Sequence, residues 1–449
     1  MTTPTGADWS EGEAFLAANP DVQAIDIVLS DLHGMARGKM IRRHELAALY
    51  QTGRPMPSTL FAQDVEGDDI DAALATMPDG GGDHRCWPLP RTLGAQPNGR
   101  GLVLLQMYDG AAKPVPQDPR FALLRQIDRA NASGYTPLGA LELEFYLLDA
   151  EPDPNGAVQP AKMPLGGRRL GTTNCMSVDE LDEAAPFFDA LYAAADSFDL
   201  PLEALLSEYA EGQFELTLRY RDLARAVDDI ALTRHLIRTT ARRFGMRACF
   251  MAKPFGHRAG SGMHLHLSLA DKDGRNLFAD TDGNLSPLML QAIGGIRAGM
   301  NDMLLLLAPV LNSWRRMGSA VYSPATNCWQ IEDRNVAVRI PDCAPEARHF
   351  ELRVAGVDAN PYLVAAAALG AALDGIEAQA EAGPPGAAED MLPMPRTWLD
   401  AIDAFEASKA MVQILGEPLH TCLCAVKRHE YEKRLADVTE TEWRIYGGI

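Results

Sequence analysis

Three pairs of ionisable side chains, each spaced two residues apart, carry the chemistry of this chain. They are Glu142 and Glu144 in LELEF, His264 and His266 in MHLHL, and Glu351 and Arg353 in FELRV. In a strand that spacing puts both members on one face, about 6.5–7 Å apart. The alternate positions are apolar: Leu141, Leu143 and Phe145; Met263, Leu265 and Leu267; Phe350 and Leu352. Any one pair reads equally as the wet face of a half-buried strand. Three pairs that combine carboxylates, imidazoles and a guanidinium read as a site. Glu208 and Glu215 bracket EYAEGQFE, where a glycine permits a bend that could bring both acids to one ion. Taken alone, those acids read as surface charge. Carboxylates in number, with imidazole and no thiolate, suit a hard divalent cation such as magnesium or manganese rather than zinc.

Arginines supply the other half. Arg315, Arg316, Arg334, Arg339 and Arg353 fall where apolar runs imply buried strands. A guanidinium in such a setting needs an anionic partner, because an unpaired buried charge is costly. The partner is either a nearby acid, such as Glu332 or Asp333, or a phosphate or carboxylate ligand that guanidinium binds bidentately. The glycine-rich turn AGSGMHLH, Ala259 to His266, runs straight into the His-x-His strand and would let a ligand approach the backbone. GMARGKM, Gly34 to Met40, lacks the glycine spacing and hydroxyl residue of a phosphate-binding loop, and no GxGxxG follows a strand.

The elements that must position these residues alternate irregularly. Ala24 to Leu29, Gly101 to Met107, Leu141 to Leu148 and Met263 to Leu269 read as strands; Phe121 to Ala130, Ala226 to Phe244 and Asn360 to Ala378 read as helices. Without regular βαβ spacing, the mixture predicts an α+β fold. Three prolines in KPVPQDPR, Lys113 to Arg120, place a domain boundary near residue 116. The balance of 61 acids against 41 basic residues gives a net charge of −20, which argues against a nucleic-acid-binding role. No apolar run reaches the ~20 residues that span a bilayer, so no membrane partner is expected. Seven scattered cysteines without a CxxC pair, and no visible signal peptide, predict a cytoplasmic protein.

The ordered set LELEF, EYAEGQFE, FMAKPFGHRAGSGMHLHLSL, NSWRR, RNVAVRIP, ELRVAGVDANPY and TETEW resembles the glutamine synthetase superfamily, collinearly from about residue 20 to the C-terminus. Within it, the chain is most similar to the γ-glutamylputrescine synthetase branch, which joins glutamate to an amine. The resemblance implies a tail (1–20), a small β-grasp domain (21–115), and a catalytic domain (116–449) with a curved antiparallel sheet flanked by helices. It also implies a homo-oligomer, typically a dodecamer, with active sites between subunits. Carried over, Glu144, Glu208 and Glu215 hold one divalent cation, and Glu142, His264 and Glu351 the other. His266, Ser268, Arg334 and Arg339 fall at ATP; Gly260, Arg316 and Arg353 fall at glutamate, with Arg339 and Arg353 acting on the reacting groups.

The implied activity is ATP-dependent ligation of the glutamate γ-carboxyl to putrescine or a similar primary amine, through γ-glutamyl phosphate. The alternatives are glutamine synthesis from ammonia and a non-catalytic binding or scaffold protein. Six residues past Arg316, where glutamine synthetases proper carry a flap glutamate for ammonium, stands Tyr322. Ala259 replaces the family asparagine before Gly260. His349 replaces an arginine of the nucleotide site, with Arg348 adjacent, so that contact is expected to shift by one place. Asp64, in FAQDVEG, is the candidate acid near the incoming amine. Trp329 with Tyr322 is expected to wall the amine pocket through its ring face, and Glu66, Asp68 or Asp69 to take the distal ammonium of a diamine.

Overall fold

The computed structural model of the protein describes residues 3–170, 175–317, 324, 326–386 and 394–449. Its N-terminal sheet comprises β1 (Ala24–Ser30), β2 (Ala36–Arg42), β3 (Arg54–Pro57), β4 (Asp83–Pro88), β5 (Gly94–Ala95) and β6 (Gly101–Tyr108). The order is β2-β1-β6-β4-β3, with β5 also on β6. β1 runs parallel to β6, and the other pairs are antiparallel. β6 is buried along its whole length, which explains why GLVLLQMY does not alternate and is polar only at Gln106 and the Tyr108 hydroxyl. A helix precedes β1. Trp9–Ala18 is a helix capped by the Asp8 carboxylate; Phe15 enters the core and Trp9 packs edge-on to Tyr50.

The larger sheet comprises β7 (Thr136–Asp149), β8 (Leu202–Ser207), β9 (Gln213–Leu218), β10 (Arg221–Asp222), β11 (Met246–Cys249), β12 (Met263–Ala270), β13 (Trp329–Ile331), β14 (Val338–Ile340) and β15 (Phe350–Leu352). Its order is β13-β14-β15-β12-β7-β9-β8, and β10 and β11 pair with opposite ends of β7. The sheet is not wholly antiparallel as expected. Glu332 takes a positive φ and residues 332–337 return the chain to the start of β13, so β14 runs parallel to it. Helices Pro119–Ala132 and Leu223–Arg243 pack on β7, and the alanine-rich Pro361–Glu377 packs on both. Asn360 accepts from the amides of Tyr362 and Leu363 at the start of that last helix, and its Nδ2 donates to the carbonyls of Asp31 and Leu32. One capping residue thereby ties the β1–β2 turn to the catalytic half.

Candidate active site

Strand register assembles the site. β7 is the axis: Glu142 lies opposite His264 of β12, and Glu144 opposite Glu215 of β9. One strand further, His266 lies opposite Glu351 of β15, and Glu351 opposite Arg339 of β14. Directly opposed side chains on one sheet face meet at about 5 Å, so residues far apart in sequence become neighbours by pairing alone. The apolar alternates Leu141, Leu143, Phe145, Met263, Leu265 and Leu267 fill the core beneath and fix which face the acids take.

The resulting cleft is crowded with like charge. His264 Nδ1 is 3.0 Å from Glu142 and 3.3 Å from Glu351, and its Nε2 is 3.8 Å from Glu144. Potential ligand atoms of Glu142, His264 and Glu351 lie within 4.8 Å of one another, as do those of Glu144, Glu215 and His264. Burial and the neighbouring Glu142 and Glu144 push the Glu215 carboxyl up to about 9. Glu208 rises to about 7 through burial and Glu144. Burial acts the same way on Glu142, but its contacts with His264 and His266 prevail and hold it well below the usual carboxylate range. Glu351 is lowered too, burial being outweighed by His264 and Arg353. An all-oxygen set with one imidazole, too crowded to ionise fully by itself, fits hard divalent cations.

Arginines close the other wall. Arg339 Nη1 donates to Glu351 at 2.8 Å and Nη2 to Glu332 at 3.1 Å, while Arg353 also bonds Glu351. Arg316, buried, donates to the carbonyls of Val354 and Arg353 at 2.8 and 3.2 Å. Together with Arg334 and Gly260 they line a chamber of about 760 Å³ of open space that includes Glu142, Glu144, Glu208 and Glu215. Gly260 is required for close approach: a Cβ there would lie 2.8 Å from the Ala252 carbonyl and 2.9 Å from Arg316 Cγ. A second chamber, of about 1060 Å³, is lined by Glu142, His266, Ser268, Asn276, Tyr220 and His349 among others. Glu142 borders both. The His266 imidazole, 3.0 Å from Glu142, is raised by that carboxylate against the opposing effect of burial, and the His349 ring lies 5.0 Å away.

The profile of the family described as "Glutamine synthetase, catalytic domain" matches residues 116–446. The chain belongs to the glutamine synthetase family. It is 35% identical to gamma-glutamylputrescine synthetase PuuA of Escherichia coli (strain K12), over 97% of this chain and 94% of that one. It is 29% identical to glutamate–isopropylamine ligase of a Pseudomonas species, over 80% and 78% of the two chains. Its fold superimposes on a solved GmaS/ADP complex with a TM-score of 0.83 and 27% identity, covering all of both chains.

Within this glutamine synthetase fold some expected site residues lie elsewhere. Trp329 is 4% exposed and packs in the core, its indole N–H donating to the carbonyls of Ala382 and Gly383. Asp64 is 1% exposed; Oδ1 accepts from the Glu66 and Asp68 amides and Oδ2 from Lys433 at 2.7 Å. Lys433 also pairs with the exposed Glu66 and Asp68, and Asp69 accepts from Gln63. Glu208 lines the cleft but stands outside both close-packed groups, because it leaves β8 on a turn and accepts from its neighbour's amide, Tyr209 N–H. Arg348 does not take over from the missing arginine: its side chain donates to the Gly283 carbonyl, and His349 lines the chamber. Ser268 Oγ donates to the Arg348 carbonyl. Tyr322 lies outside the described residues.

Two contributors escaped the sequence reading. Gln213 donates to the Gly260 carbonyl at 2.8 Å and fixes the glycine turn. It stands two residues before Glu215, so the same-face rule applied to Glu142 and Glu144 would have found it. Asn276 Nδ2 binds both Ser268 Oγ and the Arg348 carbonyl; nothing in its sequence context points there.

Proposed function

We propose that the protein ligates the γ-carboxyl of glutamate to a primary amine at the expense of ATP, an alkylamine or diamine such as putrescine being the acceptor. The observation that carries this reading is the pair of chambers meeting at Glu142, one basic and carboxylate-lined, the other of nucleotide size. A γ-carboxylate oxygen of glutamate attacks the γ-phosphorus of ATP; the new O–P bond forms as the β,γ-bridging bond breaks and ADP leaves. The amine nitrogen then adds to the acyl carbon, phosphate departs with the electron pair of the C–O bond, and the nitrogen gives up a proton. Arg316 and Arg353 hold glutamate, with Gly260 allowing its approach. Arg334 and Arg339 meet phosphoryl oxygens, where guanidinium geometry suits the developing charge. His266, Ser268 and His349 face the nucleotide. Divalent magnesium or manganese ions held by Glu142, His264 and Glu351, and by Glu144, Glu215 and Glu208, would neutralise charge during phosphoryl transfer.

The relatives that act on isopropylamine and putrescine support an amine larger than ammonia, as does Tyr322 at the flap position. A relative named glutamine synthetase, from Halobacterium salinarum, is 31% identical over 97% of both chains and supports the ammonia reading. Phosphate release with glutamate, ATP, Mg²⁺ and a panel of amines separates the two. Alkylamines or diamines are expected to exceed ammonia, and ammonia exceeding every amine would overturn the proposal.

The finer architecture belongs to the same reading. The mixed N-terminal sheet, with β1 and β6 parallel at its centre, supports a β-grasp domain up to about residue 115. Exposed Leu435, Val438, Trp443 and Tyr446, on and between the last two helices, support burial in a homo-oligomer, a dodecamer in this proposal, with sites completed between subunits. All seven cysteines are free, which supports a reducing, cytoplasmic setting.

A further inference from the structure

A separate cavity, with about 840 Å³ of open space partly continuous with solvent, lies behind the helix Leu311–Met317 that carries Arg316. It shares no lining residue with either active-site chamber. Its size is that of a small-molecule site, and its walls are largely apolar, with Leu306, Leu363 and Leu423 inside and Val65 at the exposed side. Among these residues sits Arg234. Its side chain is buried, with Nη1 donating to the Ala359 carbonyl at 3.0 Å and the guanidinium 5.4 Å from the centre of the Phe250 ring. No carboxylate among the described residues forms an ion pair with it, and its Nε–H has no hydrogen-bond partner.

Most of the other charges at the cavity have close partners, although Asp358 Oδ1 is buried without a hydrogen-bond partner. Lys427 donates to Glu430 at 2.8 Å, and His33 lies 2.6 Å from the other oxygen of that carboxylate. Asp31, on the adjoining turn, takes Arg37 at 2.8 Å. Asp358 accepts from Ser313 Oγ at 2.8 Å and lies near both Arg316 and Arg234 without a close ion pair to Arg234. A buried guanidinium left without an anion is costly, and an anionic guest removes that cost. Burial lowers Arg234 to about 9, the direction expected of a cation short of counter-charge.

We propose that this cavity binds a small carboxylate with an apolar body, the carboxylate on Arg234 and the body against Leu306, Leu363 and Leu423. The site is coupled to the cleft through the helix Leu311–Met317. Asn312 lines the cavity and exchanges two hydrogen bonds with the Lys253 backbone, and Asp358 lines it while holding Ser313. An occupant that settles these two residues settles the helix on which Arg316 stands. Binding itself is independent of the ligase reading; only its effect on glutamate rests on that reading.

The test is calorimetric titration of the intact protein with octanoate, with octylamine as the comparison. Octanoate is expected to bind saturably, once per chain, and octylamine not to bind. Arg234→Gln is expected to weaken octanoate binding about tenfold or more. Val65→Trp, which fills the exposed side without touching the buried charge, is expected to weaken it in a protein of unchanged melting temperature. Absence of saturable octanoate binding, equal binding of octylamine, or undiminished binding in Val65→Trp would overturn the site. A second arm measures the glutamate KM with and without octanoate. A shift in the wild type that is lost in Val65→Trp supports the coupling, and octanoate binding with an unchanged KM overturns it. A protein that binds octanoate but ligates no amine leaves the site standing and removes only the ligase reading.

Discussion

Glu215 is raised further than Glu208, the other raised carboxyl of the cleft, and its chemistry follows from its neighbours. Facing Glu144 across the sheet and raised to about 9, it keeps its proton at neutral pH until a cation arrives. Cation binding must therefore expel protons, from Glu215 and in part from Glu208. Two results follow: Mg²⁺ added to the nucleotide-free protein at pH 7 acidifies a weakly buffered solution, and its apparent affinity rises from pH 6 to pH 9, measurable by titration calorimetry in buffers of different ionisation heat. Glu215→Ala is expected to lower turnover by about 10²-fold or more, with the elution volume on size exclusion unchanged because the carboxylate serves the cleft and not the core. Tyr322→Glu is expected to move the amine profile toward ammonia; an unchanged profile would show that this position does not set acceptor choice. At this scale the sequence was readable where periodicity speaks, as in the two-residue pairs. It said less at Trp329, because an indole that packs in a core reads like one that walls a pocket. Nor does anything near Asp64 announce Lys433, 369 positions away.

Among the elements, the helix Leu223–Arg243 links the two sheets through one imidazole. His235 Nε2 lies 2.8 Å from Gln96 Oε1, next to β5, and burial with the nearby Arg238 lowers it to about 4. The unfolded chain therefore binds a proton below about pH 6.5 that the folded chain refuses until about pH 4. Stability is retained above that window and lost as pH falls through it, by at most about 3 kcal/mol. Chemical denaturation between pH 7 and pH 4 is expected to show this slope, and His235→Gln to flatten it. The strands β7 and β12 and the three helices were legible because their patterns are long. The parallel pairing of β14 with β13 was not: three-residue strands carry too little periodicity to signal direction, which is set by the backbone turn at Glu332.

Across the whole molecule, the N-terminal sheet is fastened to the catalytic half by buried charge. Glu430, on the helix Glu417–Leu435, joins Lys427, His33 and the Val65 amide. Burial would raise its carboxyl, but Lys427 and His33 prevail and hold it far below the usual range. Its stabilisation is thus complete above about pH 4.5 and drains away as acid approaches its lowered folded value. Glu430→Gln strands Lys427 and is expected to cost about 3 kcal/mol or more at neutral pH, read as a lower midpoint in urea with a weaker dependence on acid. None of this network was legible beforehand, since its partners come from three distant segments.

The boundary carboxylate between the two chambers also dictates an order of events. Glu142 lies 3.0 Å from His266 through one oxygen and 3.0 Å from His264 through the other, so one carboxylate is shared between the two chambers. Whatever compensates it on arrival with the triphosphate is already in position when glutamate enters. On the proposed reading, loading ATP with its cation first offsets the carboxylates that glutamate would otherwise meet beside the arginines of that chamber.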